Sequence, residues 1–70
     1  MPKLPILSGK ECYRTLEIHG FTFIRQKGSH MIFRKSDPFT QVVVPNHKKL
    51  DRGTLRAIIR QSGLSIEDFI

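Results

Sequence analysis

Apolar positions change their period several times along the chain, and each change marks an element. In "SGKECYRTLEIHG", residues 8–20, Cys12 and Leu16 recur at helical spacing. Ser8 and Glu11 have the spacing of a capping box, in which each side chain satisfies an otherwise orphan backbone N–H. Gly20 is placed to stop this helix in a left-handed cap, with Phe21 folding back onto it. "FTFIRQ" then alternates: Phe21 and Phe23 point one way, Thr22 and Ile24 the other, which is strand periodicity. "KGS" supplies a turn in which Gly28 is free to take a positive φ. "HMIFRK" makes a second strand, with Met31 and Phe33 on one face and His30, Ile32 and Arg34 on the opposite one. Asp37 and Pro38 break the chain again, and the β-branched "TQVVVP" reads as a third strand that Pro45 ends.

After the basic loop "NHKKL", Asp51 can cap a second helix, "RGTLRAIIRQSG". Leu55, Ile58 and Ile59 form its buried stripe, while Arg52, Arg56 and Arg60 fall on the exposed side. Gly63 ends it, and Leu64 is the expected return contact. "SIEDFI" adds a last helical turn capped by Ser65, with Ile66 and Phe69 turned inward.

The expected order is therefore α-β-β-β-α, a two-layer α+β sandwich with two helices on one face of a three-stranded antiparallel sheet. No repeat, low-complexity run or linker divides residues 1–70, which read as one domain. Phe23, Met31, Phe33, Val42 and Val44 make the helix-facing set. His30, by alternation, leans toward the uncovered face of the sheet.

A chain of 70 residues hides only about 60% of its unfolded surface, so its core is small. One cysteine excludes an internal disulfide, and Cys12 reads as a small buried apolar residue. "MPKLPILSGK" is too short in its apolar part to be a signal peptide and is broken by Pro2 and Pro5. No segment approaches the ~20 apolar residues of a membrane span. A soluble, cytoplasmic protein is expected. The net charge of +6, from 12 basic and 6 acidic residues, favours an anionic partner, with nucleic acid among the choices.

The chemistry concentrates in "RQKGSHMIFRKSD", residues 25–37. A histidine at a hairpin tip, near Arg25, Lys27, Arg34 and Lys35, can move a proton beside a bound phosphate, because its ordinary pKa is about 6.5. His30 is the candidate catalytic group. Lys27, Arg34 and Lys35 are candidate phosphate contacts, each of which can also be read as an ordinary solvated cation. Gly28 allows close backbone approach to a phosphate, and Ser29 can orient the ring or donate to a phosphate oxygen. His47, next to Lys48 and Lys49, is a second candidate, for acid catalysis or phosphate binding, although a plain loop histidine explains it too. His19, in the last turn of the first helix, reads as structural. One Cys and three scattered His lack the clustered spacing of a zinc site, and the carboxylates fall in turns and caps. No metal and no cofactor are expected.

Taken together, "GFTFIRQK", the "GSH" that opens the second strand, "VVVPNH" and "GTLRAIIRQSGLSIEDF" resemble the HicA family of toxins from type II toxin–antitoxin modules, over about Ser8 to Phe69. Met31 stands where many relatives carry a second histidine or an aliphatic residue, and the loop "NHKKLD" is shorter than usual. The resemblance implies a fold like a double-stranded-RNA-binding domain and ribosome-independent cleavage of mRNA that arrests growth. It implies a HicB-type antitoxin that covers the active histidine, here His30. The free toxin would be monomeric and would join its antitoxin in a hetero-oligomer. A non-catalytic RNA-binding module of the same fold is the alternative. DNA reading by "TLRAIIRQ" is disfavoured, because that helix commits Leu55, Ile58 and Ile59 to a core and has no helix-turn-helix partner.

Overall fold

The computed structural model describes residues 3–70. Its elements run α1 (Gly9–Ile18), β1 (Thr22–Lys27), β2 (His30–Lys35), β3 (Thr40–Pro45), α2 (Arg52–Ser62) and a closing 3-10 turn, Ile66–Phe69. This is the expected α-β-β-β-α arrangement. The sheet is antiparallel in the order β1-β2-β3.

Local chemistry sets the helix ends. The Glu11 N–H donates to Ser8 Oγ at 3.1 Å, and the Ser8 N–H donates to Glu11 Oε1 at 2.9 Å. The capping box is thus reciprocal. Asp51 caps α2 by accepting the Thr54 N–H at 2.6 Å. Gly63 closes α2 in the left-handed region, at φ 74°, where a Cβ would be penalised.

Cys12 and Leu16 of α1, Leu55 and Ile58 of α2, and Phe33, Val42 and Val44 of the sheet are buried in one cluster, which Met31, Ile59 and Phe69 join. Each fully buried Val, Leu or Phe side chain contributes about 1.5–3 kcal/mol relative to an exposed one. Tyr13 of α1 stacks on Phe23 at 5.4 Å and meets Phe33 edge-on at 5.0 Å. Phe23, the least buried of the expected helix-facing set, is covered through that contact.

Two features of the frame depart from simple alternation. Phe23 pairs with Phe33, but the next pair is Arg25 with Ile32. Ile24 is therefore the extra residue of a β-bulge, which reverses the facing of everything that follows it in β1. The turn is also tighter than "KGS": Lys27 belongs to β1 and pairs with His30, leaving Gly28 and Ser29 as a two-residue loop. Gly28 has φ 60° and Ser29 does not share the positive φ, the pattern of a type II′ hairpin turn.

Candidate active site on the open face of the sheet

Both helices pack on the Met31–Phe33 side of the sheet, and neither covers the other side. Cross-strand partners in an antiparallel sheet share a face, so the register identifies the residues of the open one. Across its width it carries Lys27, His30 and Pro45 in one row, Arg25, Ile32 and Val43 in the next, and Thr22, Arg34 and Gln41 in the third. The bulge is what brings Arg25 and Lys27 here. Unbroken alternation from Phe23 would have turned both toward the helices.

His30 is exposed on this face. Directly paired residues hold their Cβ atoms about 4.5–5.5 Å apart, which puts Lys27 beside the imidazole on one flank and Pro45 on the other. Among the described residues no side-chain hydrogen bond anchors the ring. Ile32 and Val43 make an apolar floor next to it, with Arg25 on the edge. Arg34 lies on the same face, four residues along β2 and hence about 13 Å from His30. Its Nε–H donates to Gln41 Oε1 at 2.9 Å, which fixes the guanidinium across the strand. Lys35 does not join this group. It faces the helix layer, and its Nζ sits 5.6 Å from the centre of the Phe21 ring, an ordinary cation–π distance.

The hairpin is tied to the loop after β3. The Asn46 N–H donates to the Ser29 carbonyl at 2.6 Å, and the Gly9 N–H donates to the His47 carbonyl at 2.8 Å. His47 therefore stands two residues past the cross-strand partner of His30, exposed at the same end of the sheet. Ser8, Lys10, Asn46, His47 and Lys48 line a shallow hollow of about 350 Å³ there. Gly9 makes this seam possible. A Cβ at that position would run into the Pro45 carbonyl oxygen and lie 2.9 Å from Asn46 Cα. The sequence does not mark Gly9 as a candidate, and it names Arg25 only as a neighbouring cation, not as a member of the open face. The first owes its role to a contact between distant segments and the second to a bulge.

The remaining titratable groups lie elsewhere. His19 caps α1, with Nδ1 donating to the Thr15 carbonyl at 2.9 Å and Nε2 3.5 Å from Asp68 Oδ1. It ties the first helix to the closing turn and takes no part in the open face. The Asp68 carboxyl is held below the usual carboxylate range, first by the Ser65 N–H and further by His19. The Cys12 thiol is pushed up to about 12, chiefly by burial, with the Glu11 charge adding to it. It is a core residue and not a nucleophile. Among the described residues no three of His, Cys, Asp or Glu gather as metal ligands. No helix is long and apolar enough to cross a membrane.

Chemically, the open face offers one exposed imidazole, two cations close to it on β1, and a third farther along β2. No strand residue is acidic. A polyanion laid across the strands meets only positive and neutral side chains.

No curated protein matches the chain significantly. The family model for the HicA toxin of bacterial toxin–antitoxin systems matches residues 9–64, from the first residue of α1 to just past the cap of α2. With most of its length matched, this chain belongs to the HicA toxins.

Proposed function

We propose that this toxin is a metal-independent endoribonuclease that cuts mRNA, with His30 as its acid–base group, and that a HicB-type antitoxin silences it by covering the open face of the sheet. The observation that carries the reading is the exposed His30 on the face away from the helices, paired with Lys27 and one row from Arg25.

The chemistry asks for little beyond these groups. A base removes the proton of a ribose 2′-hydroxyl, and that oxygen attacks the adjacent phosphorus. The bond to the 5′-oxygen breaks as that oxygen takes up a proton, leaving a 2′,3′-cyclic phosphate and a free 5′-hydroxyl. His30 supplies the base. His47, at the same end of the sheet, is the available second proton donor. Lys27 and Arg25 steady the charge that builds on the phosphoryl oxygens, the term most worth organising in advance. Gly28 and Ser29 offer backbone and hydroxyl to a phosphate at the turn, and Lys48 and Arg34 extend the positive track on either side. Acid–base assistance is worth roughly 10²–10⁴-fold, enough for a toxin that needs to inactivate messages rather than turn over quickly. The site of action is the cytoplasm, where mRNA and antitoxin are both found.

Induction of the chain in cells, beside a His30→Ala version, tests the reading. Growth arrest and loss of mRNA from the parent alone, relieved by co-expressed antitoxin, are expected. Equal toxicity from both versions removes His30 from the mechanism. Loss of cleavage by the purified protein on chelation removes the metal-independent part.

A further inference from the structure

At the end of the sheet opposite His30, the turn between β2 and β3 presents Phe39, 71% exposed. Among the described residues its ring stacks on no other aromatic group and carries no cation. Together with Thr22, Ile24, Arg34 and Lys35 it lines a hollow of about 520 Å³. Ile24, the bulged residue of β1, is also exposed, at 42%. Phe39 and Ile24 line the same hollow, so the exposed apolar surface here is a shared patch rather than one isolated side chain.

The charges around this hollow point to the kind of occupant. Arg34 uses Nε–H on Gln41, and among the described residues its terminal amino groups have no carboxylate partner. Arg34 and Lys35 are the charged residues of the lining, and no strand position holds Asp or Glu. Asp37, in the same turn as Phe39, is the nearest carboxylate in sequence and forms no salt bridge among the described residues. An aromatic face beside a fixed guanidinium, at the end of a basic and otherwise neutral surface, matches the base and the phosphate of one nucleotide. An acidic peptide would satisfy the cations but leave the ring without a planar partner.

We infer that Phe39 and Arg34 form a nucleotide subsite for single-stranded RNA, Phe39 stacking one base and Arg34 holding its phosphate, remote from the bond cut at His30. The inference rests on the ribonuclease reading for the identity of the ligand. Arg34 lies about 13 Å from His30, within about four nucleotides at ~3.4 Å per stacked step. The subsite therefore acts on substrates long enough to span the sheet and leaves the chemistry at the cut untouched.

The test uses the full chain carrying His30→Ala, so that RNA stays intact, and a fluorescent single-stranded RNA of about 12 nucleotides, enough to cross the face. Adding Phe39→Ala is expected to weaken binding about 5- to 150-fold, the range for removal of one base stack. Phe39→Tyr should keep the affinity, and Phe39→Leu should lose it although the apolar area is nearly conserved. On the native His30 background, Phe39→Ala should lower cleavage of the long RNA and leave cleavage of a dinucleotide unchanged. Unaltered affinity in Phe39→Ala, or full affinity in Phe39→Leu, overturns the subsite while leaving His30 catalysis standing. Loss of antitoxin affinity with RNA affinity intact also overturns it and assigns the patch to the protein partner. Weakened binding by Phe39→Ala in a chain whose native form cuts no RNA keeps the subsite and removes the nuclease reading. No RNA binding by the His30→Ala chain overturns the subsite, and cleavage by the native chain decides the nuclease reading separately. Because Phe39 is mostly exposed, all variants should melt with the parent.

Discussion

Lys27 and His30 are cross-strand partners that close a hairpin of only two loop residues. The pairing fixes the separation of a cation and an imidazole through the backbone rather than through a hydrogen bond between them. Any change that loosens this turn therefore disturbs the candidate site without touching either side chain.

Gly28→Ala is such a change. Gly28 sits at φ 60°, and an added Cβ would meet nothing within 4 Å. The cost is then one of backbone conformation alone, about 1–2 kcal/mol. The expected drop in melting temperature is about 4–8 °C per kcal/mol for a domain of this size. RNA cleavage should fall further than the residual folded fraction accounts for, because Lys27 and His30 lose their register.

Gly9 and Gly53 should respond in opposite directions to alanine. At Gly9 the new Cβ strikes the Pro45 carbonyl and Asn46 Cα, both backbone atoms that cannot step aside cheaply. Crowding of this kind costs about 1–3 kcal/mol. At Gly53, in the first turn of α2, the nearest atom is Asp51 Oδ1 at 3.9 Å, and alanine gains up to about 1 kcal/mol of helix propensity. Thermal melts of the two variants provide the comparison.

Much of the frame was legible because it is written in neighbouring residues. Ser8 with Glu11, Asp51 before α2, and Gly63 after it act within a few positions of themselves, and each end falls where those residues place it. The alternation of Met31 and Phe33 against His30 and Ile32 likewise needed only the strand. The bulge at Ile24 was not legible, since an isoleucine in a strand looks the same whether paired or extra, and only the register with β2 reveals it. The cost of missing it is specific: Arg25 belongs on the open face, where simple alternation would not put it. Lys35 shows the reverse case. Counting from Met31 and Phe33 turns it to the helix side, against its grouping with the other cations of residues 25–37, and its amino group indeed lies over Phe21. Gly9 escaped notice because its neighbour, the β3 exit, is remote in sequence and the contact exists only after folding.

Cys12 gives stability a dependence on alkaline pH. Its thiol is pushed from 9.0 to about 12 in the folded chain, so between those values the native state holds a proton that the unfolded state releases. Stability on this account is full below about pH 9 and declines as pH rises toward 12. Melts across that range, compared with Cys12→Ala, should show a steeper alkaline decline in the parent. At pH 8 the native thiol should resist aromatic disulfide reagents and react only on unfolding.

Removing the β1 cations should change how salt affects RNA binding. Deleting one phosphate-binding cation lowers the slope of log affinity against log salt by about 0.7 for a single strand. Arg25→Ala and Lys27→Ala should each show that decrease, with a similar weakening for every RNA sequence. Arg60→Ala, on the exposed side of α2 in the other layer, should leave the slope unchanged. Titrations of labelled RNA at several salt concentrations measure all three.

The most direct measurement is the rate at which purified parent and His30→Ala proteins cut a single-stranded RNA, with RNA binding and melting temperature measured on the same samples. The expected result is a rate lowered by about 10²–10⁴-fold in His30→Ala, with binding and melting nearly unchanged because the ring is exposed and unanchored. Cleavage by His30→Ala at the parental rate would contradict it.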